Sequence, residues 1–575
     1  MLVRQLALFL PTMHYLRWRQ LYWRFYLLGS RATRRARPLP PSIGVCQLLL
    51  VAPIKRCPGW LGDGFRFLNR TVPSSPIPWH AADLPKLWLY NLHYFDYLHQ
   101  PGMSPDRGVA LIRDWIAQNP PYRGNGWEPY PISLRIVNWL KFMNRQMLGQ
   151  DMLELMAVSL FEQTRHLRRS LEYHLLANHL FKNGVALLFA GACLRGGDEP
   201  GEWYRKGAEI LRAEIAEQVL PDGGHFERSP MYHAIVLEDV LDCLNLVALQ
   251  GRAGVTSMPG ACGDGRSDPN LAGLLRATAE QMLRFLSDSV HPDGTLPRFN
   301  DTAEGIAPSL DQLWEYATRL QVAVPERPAA GSSASSATDG TSRIIEKPDF
   351  GLATLSAGTW RCVIDCGAIG PDYQPGHAHC DTLSYELTWN GRLVAVNAGT
   401  FEYAGSERNG FRRTSAHNTL ELDGEEQHEI WATFRVARRG YPQEIRAWEE
   451  AGGRVCFSGK HTGYRRLPGR PVHERRVSLS NDCLRVEDRI ASRRCHQAVS
   501  RLHLHPDVLV LACDGKTARL SVDGKCLVME VEEGVLSADT YAFSREFGLK
   551  EAATVLTVSK QLQSGSHIAY RLRSA

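Results

Sequence analysis

The chain has 575 residues, of which 44% are hydrophobic, 22% charged and 9% aromatic, the composition of a multidomain globular protein and not of a disordered one. Lys and Arg exceed Asp and Glu only by 66 − 61 = 5, too small a surplus to nominate nucleic acid as a partner. The longest apolar stretch, Gly184 to Leu194, falls well short of the roughly 18 residues that span a bilayer.

Charge is unevenly placed at the start. No carboxylate precedes Asp63, while Arg4, Arg17, Arg19, Arg24, Arg31, Arg34, Arg35 and Arg37 are interleaved with Trp18, Tyr22, Trp23, Phe25 and Tyr26. The preferred reading is a helix docked on the protein by its aromatic face. The alternative is peripheral contact with an anionic membrane or acidic polymer, arginines toward phosphates or carboxylates and rings buried. Leu6 to Leu10 is too short for the apolar core of a signal peptide and stops at Pro11, so no cleavable leader is read. The 13 cysteines include no Cys-x-x-Cys pair and are expected mostly as buried thiols.

Helical periodicity follows in Ile132–Leu148, Met152–Leu167, Leu171–Leu194, Trp203–Val219, Met231–Leu249, Leu271–Leu286 and Leu310–Leu320. Successive amphipathic helices with short turns pair into hairpins, which stack as a solenoid or close into a toroid. Gly251 to Ser267 reads as a loop, and the small-residue run Pro328 to Ser342 as a flexible linker. Beyond it the period becomes two, in thirteen short segments from Leu352–Leu355 to Ala553–Val558 with no helices between them, which implies an antiparallel sandwich. The expected domains are residues 1–90, a basic aromatic segment packing on the helices; 91–327, helical; 328–343, linker; and 344–575, sandwich.

Polar residues gather at a few turns. In Gly376-His-Ala-His-Cys-Asp381, His377 and His379 share one face of an extended chain, as a metal site or a proton-transfer pair requires. A metallo-β-lactamase-type site would need His where Thr382 stands. Asn397 and His417-Asn418 flank neighbouring strands and could meet the histidines at one rim, though Asn is also an ordinary turn former. In the helical half, Asn178 lies in an apolar helix where an unpaired amide is costly, and His179 follows it. Asp222, His225, Glu227, Arg228 and Tyr232 surround a Gly-Gly turn that opens a helix, and Asn300-Asp301 form another polar turn. Trp127 and Tyr130 offer rings of the kind sugars stack on, although most such rings are core.

Six segments together carry a family likeness: NLHYFDYL at Asn91–Leu98, WEPYPISLRIVNW at Trp127–Trp139, LANHL at Leu176–Leu180, DGGHFERSPMYH at Asp222–His233, GHAHCDTLS at Gly376–Ser384 and FRRTSAHNTL at Phe411–Leu420. In this combination and order the sequence resembles the heparinase II/III-like polysaccharide lyases. That resemblance implies an incomplete (α/α) toroid followed by a C-terminal antiparallel β-sandwich. It also implies β-elimination from a uronic acid in an acidic polysaccharide, with no cofactor required for the chemistry.

By resemblance, Asn178 contacts the uronate carboxylate with His179 in support, Tyr232 protonates the leaving oxygen, and His377 is the partner base. Arg228, Arg412 and Arg413 are expected as cations that lower the phenol's pKa. His225, Glu227, Trp127, Tyr130 and Asn300 are expected as supporting or substrate-binding residues. His379, Asn397 and His417 match where some relatives hold a structural zinc, with Asn397 where those relatives carry Asp. The segment Asn91–Leu98 and the Arg-rich start point to the branch that makes or trims bacterial surface, capsular or exopolysaccharides. This favours the periplasm or envelope, with the cytoplasm as the alternative given the unread leader. Two other function classes stay open: an inverting glycoside hydrolase using Asp222, Glu227 and Asp301, and a non-catalytic polysaccharide-binding protein.

Overall fold

The structure, a computed structural model, describes residues 2–30, 38–46, 48, 50–250, 268–325 and 342–575. The expected loop at Gly251–Ser267, nearly all of the expected linker, and Arg31, Arg34, Arg35 and Arg37 lie outside the described residues.

All seven helices expected between Ile132 and Leu320 form, the first as Pro129–Met143 and the last as Leu310–Arg319. Their ends follow local chemistry. Pro129, Pro230 and Pro269 open helices, where a missing N–H costs nothing. Asp268 accepts from Leu271 N, and Ser309 and Gln312 form a capping box. One helix starts later than its periodicity suggests, at Ala177 instead of Leu171. Leu176 and Ala177 take positive φ (65° and 52°), which breaks the preceding turn and delivers Asn178 to the helix N-terminus.

Helix Ala177–Cys193 is buried almost all round and packs against Pro129–Met143, Glu199–Gln218 and Pro230–Gln250. Closeness to Glu199–Gln218 depends on glycine at the crossing: a Cβ at Gly191 would lie 2.3 Å from Tyr204 N, and one at Gly207 2.5 Å from Leu188 N. The helices form the incomplete toroid, with a core running from Trp88 and Trp139 through Leu187 to Leu244 and Leu286.

The second half is the antiparallel β-sandwich. A five-stranded meander runs from Arg343–Lys347 to Arg392–Ala395, beside an eight-stranded and a four-stranded sheet. Leu355, Tyr385, Phe457, Val486, Leu520 and Leu572 share its core. Across that core Arg475 donates to both oxygens of Asp488 (2.7 and 2.8 Å) and to the Leu383 carbonyl at 2.8 Å. Of the sandwich strands not anticipated, Arg343–Lys347, Pro442–Glu450 and Val535–Phe543 are sheet edges with few buried side chains and no clean apolar alternation, whereas His567–Ser574 is an inner strand of the eight-stranded sheet.

At the start of the chain, helices Leu2–His14 and Trp18–Ser30 lie over both halves. Trp23 stacks on Tyr173 at 4.9 Å, and Gln20 donates to the Tyr373 carbonyl at 3.3 Å. Docking by the aromatic face is therefore only half of the picture, because Trp18, Tyr22, Phe25 and Tyr26 remain exposed.

Candidate active site

Ring and sandwich meet at a buried carboxylate, Asp301. Its Oδ2 faces His377 Nδ1 at 2.9 Å and its Oδ1 faces His379 Nε2 at 2.9 Å. Both Arg408 Nη atoms donate to it, one to Oδ2 at 2.7 Å and the other to Oδ1. Burial would raise the Asp301 carboxyl, but Arg408 and the two histidine hydrogen bonds outweigh that and hold it well below the ordinary carboxylate range. The backbone joins in. Asp301 N donates to the His377 carbonyl at 3.1 Å, and the Asp301 carbonyl accepts from Ser229 Oγ at 2.5 Å. Ser229 Oγ also accepts from Tyr232 N at 3.2 Å, so one residue anchors the sandwich histidines and the first turn of the helix that carries Tyr232.

The adjoining Asn300 has φ 52°, and its side chain bridges the halves by donating to the Arg228 carbonyl at 2.9 Å and accepting from His379 N at 2.9 Å. From the ring, Asn178 donates its backbone N–H (3.0 Å) and its side-chain amide (2.9 and 3.1 Å) to Glu227. Glu227 Oε2 lies 3.2 Å from His377 Nε2. Burial pushes the Glu227 carboxyl up, while His377, His225 and the Asn178 bonds pull it down further, for a net lowering. Both His377 nitrogens thus face carboxylate oxygens, and an imidazole satisfies both only when it carries two protons. For the ring to accept a proton, one contact must open.

The Tyr232 ring stacks on His377 with centroids 3.8 Å apart, and its hydroxyl accepts from Tyr403 at 3.1 Å. Burial, then Tyr403 and Tyr130, hold the phenol well above its usual 10. The cations expected beside it are elsewhere. Arg228 turns to the Phe350 carbonyl. Arg412 is buried among backbone carbonyls, including Ala378 at 3.0 Å, and braces the His377–His379 segment from behind. Arg413 is 60% exposed and lies 3.8 Å from Glu426. Tyr232 is thus held as the neutral phenol.

His179 packs on Tyr130 (centroids 4.6 Å) and its Nδ1 faces Glu172 at 3.0 Å, with the side chain 29% exposed. Burial disfavours its charge, but Glu172, by charge and hydrogen bond, and Glu227 outweigh this and raise its pKa above the ordinary 6.5. Two expected lining residues are core instead. Trp127 is packed among Trp115, Tyr122 and His166 and donates to the Asn119 carbonyl at 3.2 Å. His225 is fully buried against Gln218 at 3.0 Å and pushed down to about 4 by burial.

The metal set also needs correction. Asn397 is committed to protein partners, donating to Glu386 Oε1 through its backbone and accepting from Asn418 N at 3.0 Å. Asp381 takes its place: His379, Asp381 and His417 bring ligand atoms within 4.8 Å of one another, all buried. Neither ring nitrogen of His417 has a hydrogen-bond partner of normal geometry, nor does His379 Nδ1. Burial, then His379 and His503, hold His417 well below 6.5, with the Phe411 carbonyl opposing weakly. Two imidazoles with unpartnered nitrogens and a carboxylate, one oxygen of which accepts from Asn300 N at 2.7 Å, fit a divalent cation such as zinc.

Two family descriptions match these halves, Heparinase II/III N-terminus over residues 107–321 and Heparinase II/III-like, C-terminal over residues 339–571. The chain belongs to the heparinase II/III-like family. A heparin-sulfate lyase of Pedobacter heparinus is 27% identical over 339 residues, 55% of this chain and 48% of the relative. FtsZ-localized protein C of Caulobacter vibrioides is 25% identical over 471 residues, 76% and 73% of the two chains. The chain spans less than half the length of the heparin-sulfate lyases it matches. A crystal structure of heparinase III shares the fold, with a TM-score of 0.65 at 16% identity, covering 87% of this chain and 79% of that one.

Sequence reasoning missed Arg408 and Tyr403, and it placed Asp301 in a polar turn and in the hydrolase alternative, not as the charge that joins the two halves. The Arg408 prediction is direct. Arg408→Met leaves the buried Asp301 carboxylate without its cation and should lower stability by about 3–5 kcal/mol in denaturant unfolding. Adding Asp301→Asn should recover part of that loss, and no recovery would contradict the pairing.

Proposed function

We propose that this heparinase II/III-like protein is a polysaccharide lyase that cleaves a uronic-acid-containing polymer by β-elimination. The observation that supports it most is the Tyr232–His377 stack, set beside the Asn178–Glu227 pair where ring and sandwich meet. Elimination takes the proton from the carbon bearing the carboxylate, forms a carbon–carbon double bond, and breaks the neighbouring bond to the glycosidic oxygen, which leaves protonated.

As the uronate carboxylate arrives beside Asn178 and His179, Nε2 of His377 gives the proton it shares with Glu227 to that carboxylate, the contact opens, and the freed Nε2 takes the carbon-bound proton. Asp301 keeps the other nitrogen protonated and the ring oriented. Asn178 and His179 neutralise the uronate carboxylate as negative charge develops there. Tyr232, held protonated, supplies its phenolic proton to the departing oxygen. The finer reading of the substrate is a bacterial surface, capsular or exopolysaccharide, supported by the likeness of Asn91–Leu98 to that branch of the family.

The hydrolase alternative finds less support. Asp301 is fully committed and held ionised, Glu227 is also lowered, and Asp222 accepts from the Gly224 and Phe350 backbone N–H groups at 3.1 and 2.7 Å. None of the three is built as an acid. For the metal, we propose His379, Asp381 and His417 as ligands of a structural zinc, which would stiffen the strand that follows His377 and take no part in proton transfer.

Two outcomes follow. On uronate polysaccharides the protein should generate unsaturated ends that absorb in the ultraviolet. Tyr232→Phe should lower kcat by about 10²–10⁴ with KM little changed. Because the phenol stays protonated, kcat should show no Tyr232-dependent fall on the alkaline side up to about pH 10. New reducing ends without ultraviolet absorbance would instead indicate hydrolysis, and retained polymer binding with no turnover in either chain a binding protein. Elemental analysis should find about one zinc per chain, lost together with thermal stability in His417→Ala. A metal-free, equally stable wild type would contradict the zinc assignment.

A further inference from the structure

Six of the eighteen large apolar side chains exposed among the described residues fall between Phe9 and Tyr26. On helix Trp18–Ser30 they form one stripe: Trp18 (76% exposed), Tyr22 (54%), Phe25 (74%) and Tyr26 (46%), spaced at helical steps of four, three and one. Leu10, 68% exposed, extends it onto helix Leu2–His14. The stripe is not a core face waiting to close, because the opposite side is already committed. Besides the Trp23 and Gln20 contacts, Thr12 Oγ1 accepts from Trp431 Nε1 at 3.0 Å, and the Arg439 guanidinium lies 3.6 Å over the Tyr15 ring.

The charge around the stripe is mostly basic: the first 62 residues hold ten Lys and Arg and no carboxylate. Arg17 pairs with Glu217 at 2.6 Å and lies over Tyr373, Arg19 lies over Tyr173, and Arg24 is exposed among the rings. Burial, and then the neighbouring Arg435, push Arg24 below its ordinary value. Arg435 itself stacks over Trp431 (4.9 Å), the ring that holds helix Leu2–His14.

We infer that the exposed face of Trp18–Ser30, together with Leu10, docks on an anionic lipid bilayer. A bilayer interface meets both demands at once: Trp, Tyr, Phe and Leu enter the headgroup and acyl boundary while arginines meet phosphates. A second copy is disfavoured because a self-complementary interface would set Arg24 and Arg435 against their own copies, while Glu217 is already paired with Arg17. A free acidic polysaccharide would answer the charge and leave Leu10 and Phe25 in water. No helix among the described residues is long and apolar enough to cross a membrane, so contact is by lying on it. The inference stands apart from the lyase reading.

The test is flotation of the full chain with vesicles of phosphatidylcholine alone or mixed with phosphatidylglycerol. The protein should float with the mixed vesicles, less so at high salt, and Trp18→Ser with Phe25→Ser should weaken partition at least about tenfold while the thermal midpoint is kept. If the double variant unfolds, Phe25→Ser and Arg24→Glu carry the test singly. Absence of flotation, flotation equal in neutral and anionic vesicles, or flotation untouched by these variants would overturn the inference. So would a concentration-dependent dimer that the variants abolish without any lipid binding.

Discussion

A carboxylate sealed from water at the meeting of two domains is the constraint on which this site depends. Asp301 is tolerable there only because Arg408 and two imidazoles compensate it, and each of those groups comes from the sandwich. Ring and sandwich are therefore joined by an interaction that fails if either moves away. The same residue, through its backbone carbonyl and Ser229, reaches the helix that presents Tyr232. The spacing of phenol and imidazole is thus set by one buried ionic knot and does not depend on loop flexibility.

The knot also sorts the chemistry. Charge that could have lowered the Tyr232 phenol is spent elsewhere: Arg408 on Asp301, Arg412 on backbone carbonyls, Arg228 on Phe350. Tyr232 is left protonated beside a histidine whose two nitrogens are held by acids. In the proposed elimination this difference of environment would divide the giving and taking of protons between the two groups. It also makes Glu227 more than a bystander, since its carboxylate occupies the space between the Asn178 amide and the imidazole that an incoming uronate would claim.

Much of this was legible in the sequence, and the failures have physical causes. Helices with an apolar stripe and strands with one buried face announce themselves by period, so Ile132–Leu320 and most inner strands are readable, His567–Ser574 excepted. Edge strands such as Pro442–Glu450 bury little and carry no such signal. His377, Asn178 and Tyr232 were found because they sit in motifs that carry the family likeness. The three arginines were misplaced because a charge in a sequence does not reveal its direction, and burial turned Arg412 inward and Arg228 aside. Asp381 is not singled out by the sequence as a candidate ligand, and Asn397 is, because ligand distance is a property of the fold and not of strand position.

The most direct measurement of the central claim is a crystal structure of the Tyr232→Phe chain with a uronate tetrasaccharide bound. The account predicts the uronate carboxylate within hydrogen-bond reach of Asn178 and His179, the Glu227 contact to His377 broken from its present 3.2 Å, and the Asp301 contact intact. A sugar seated away from the junction, or a His377 still held between both acids with substrate in place, would contradict it.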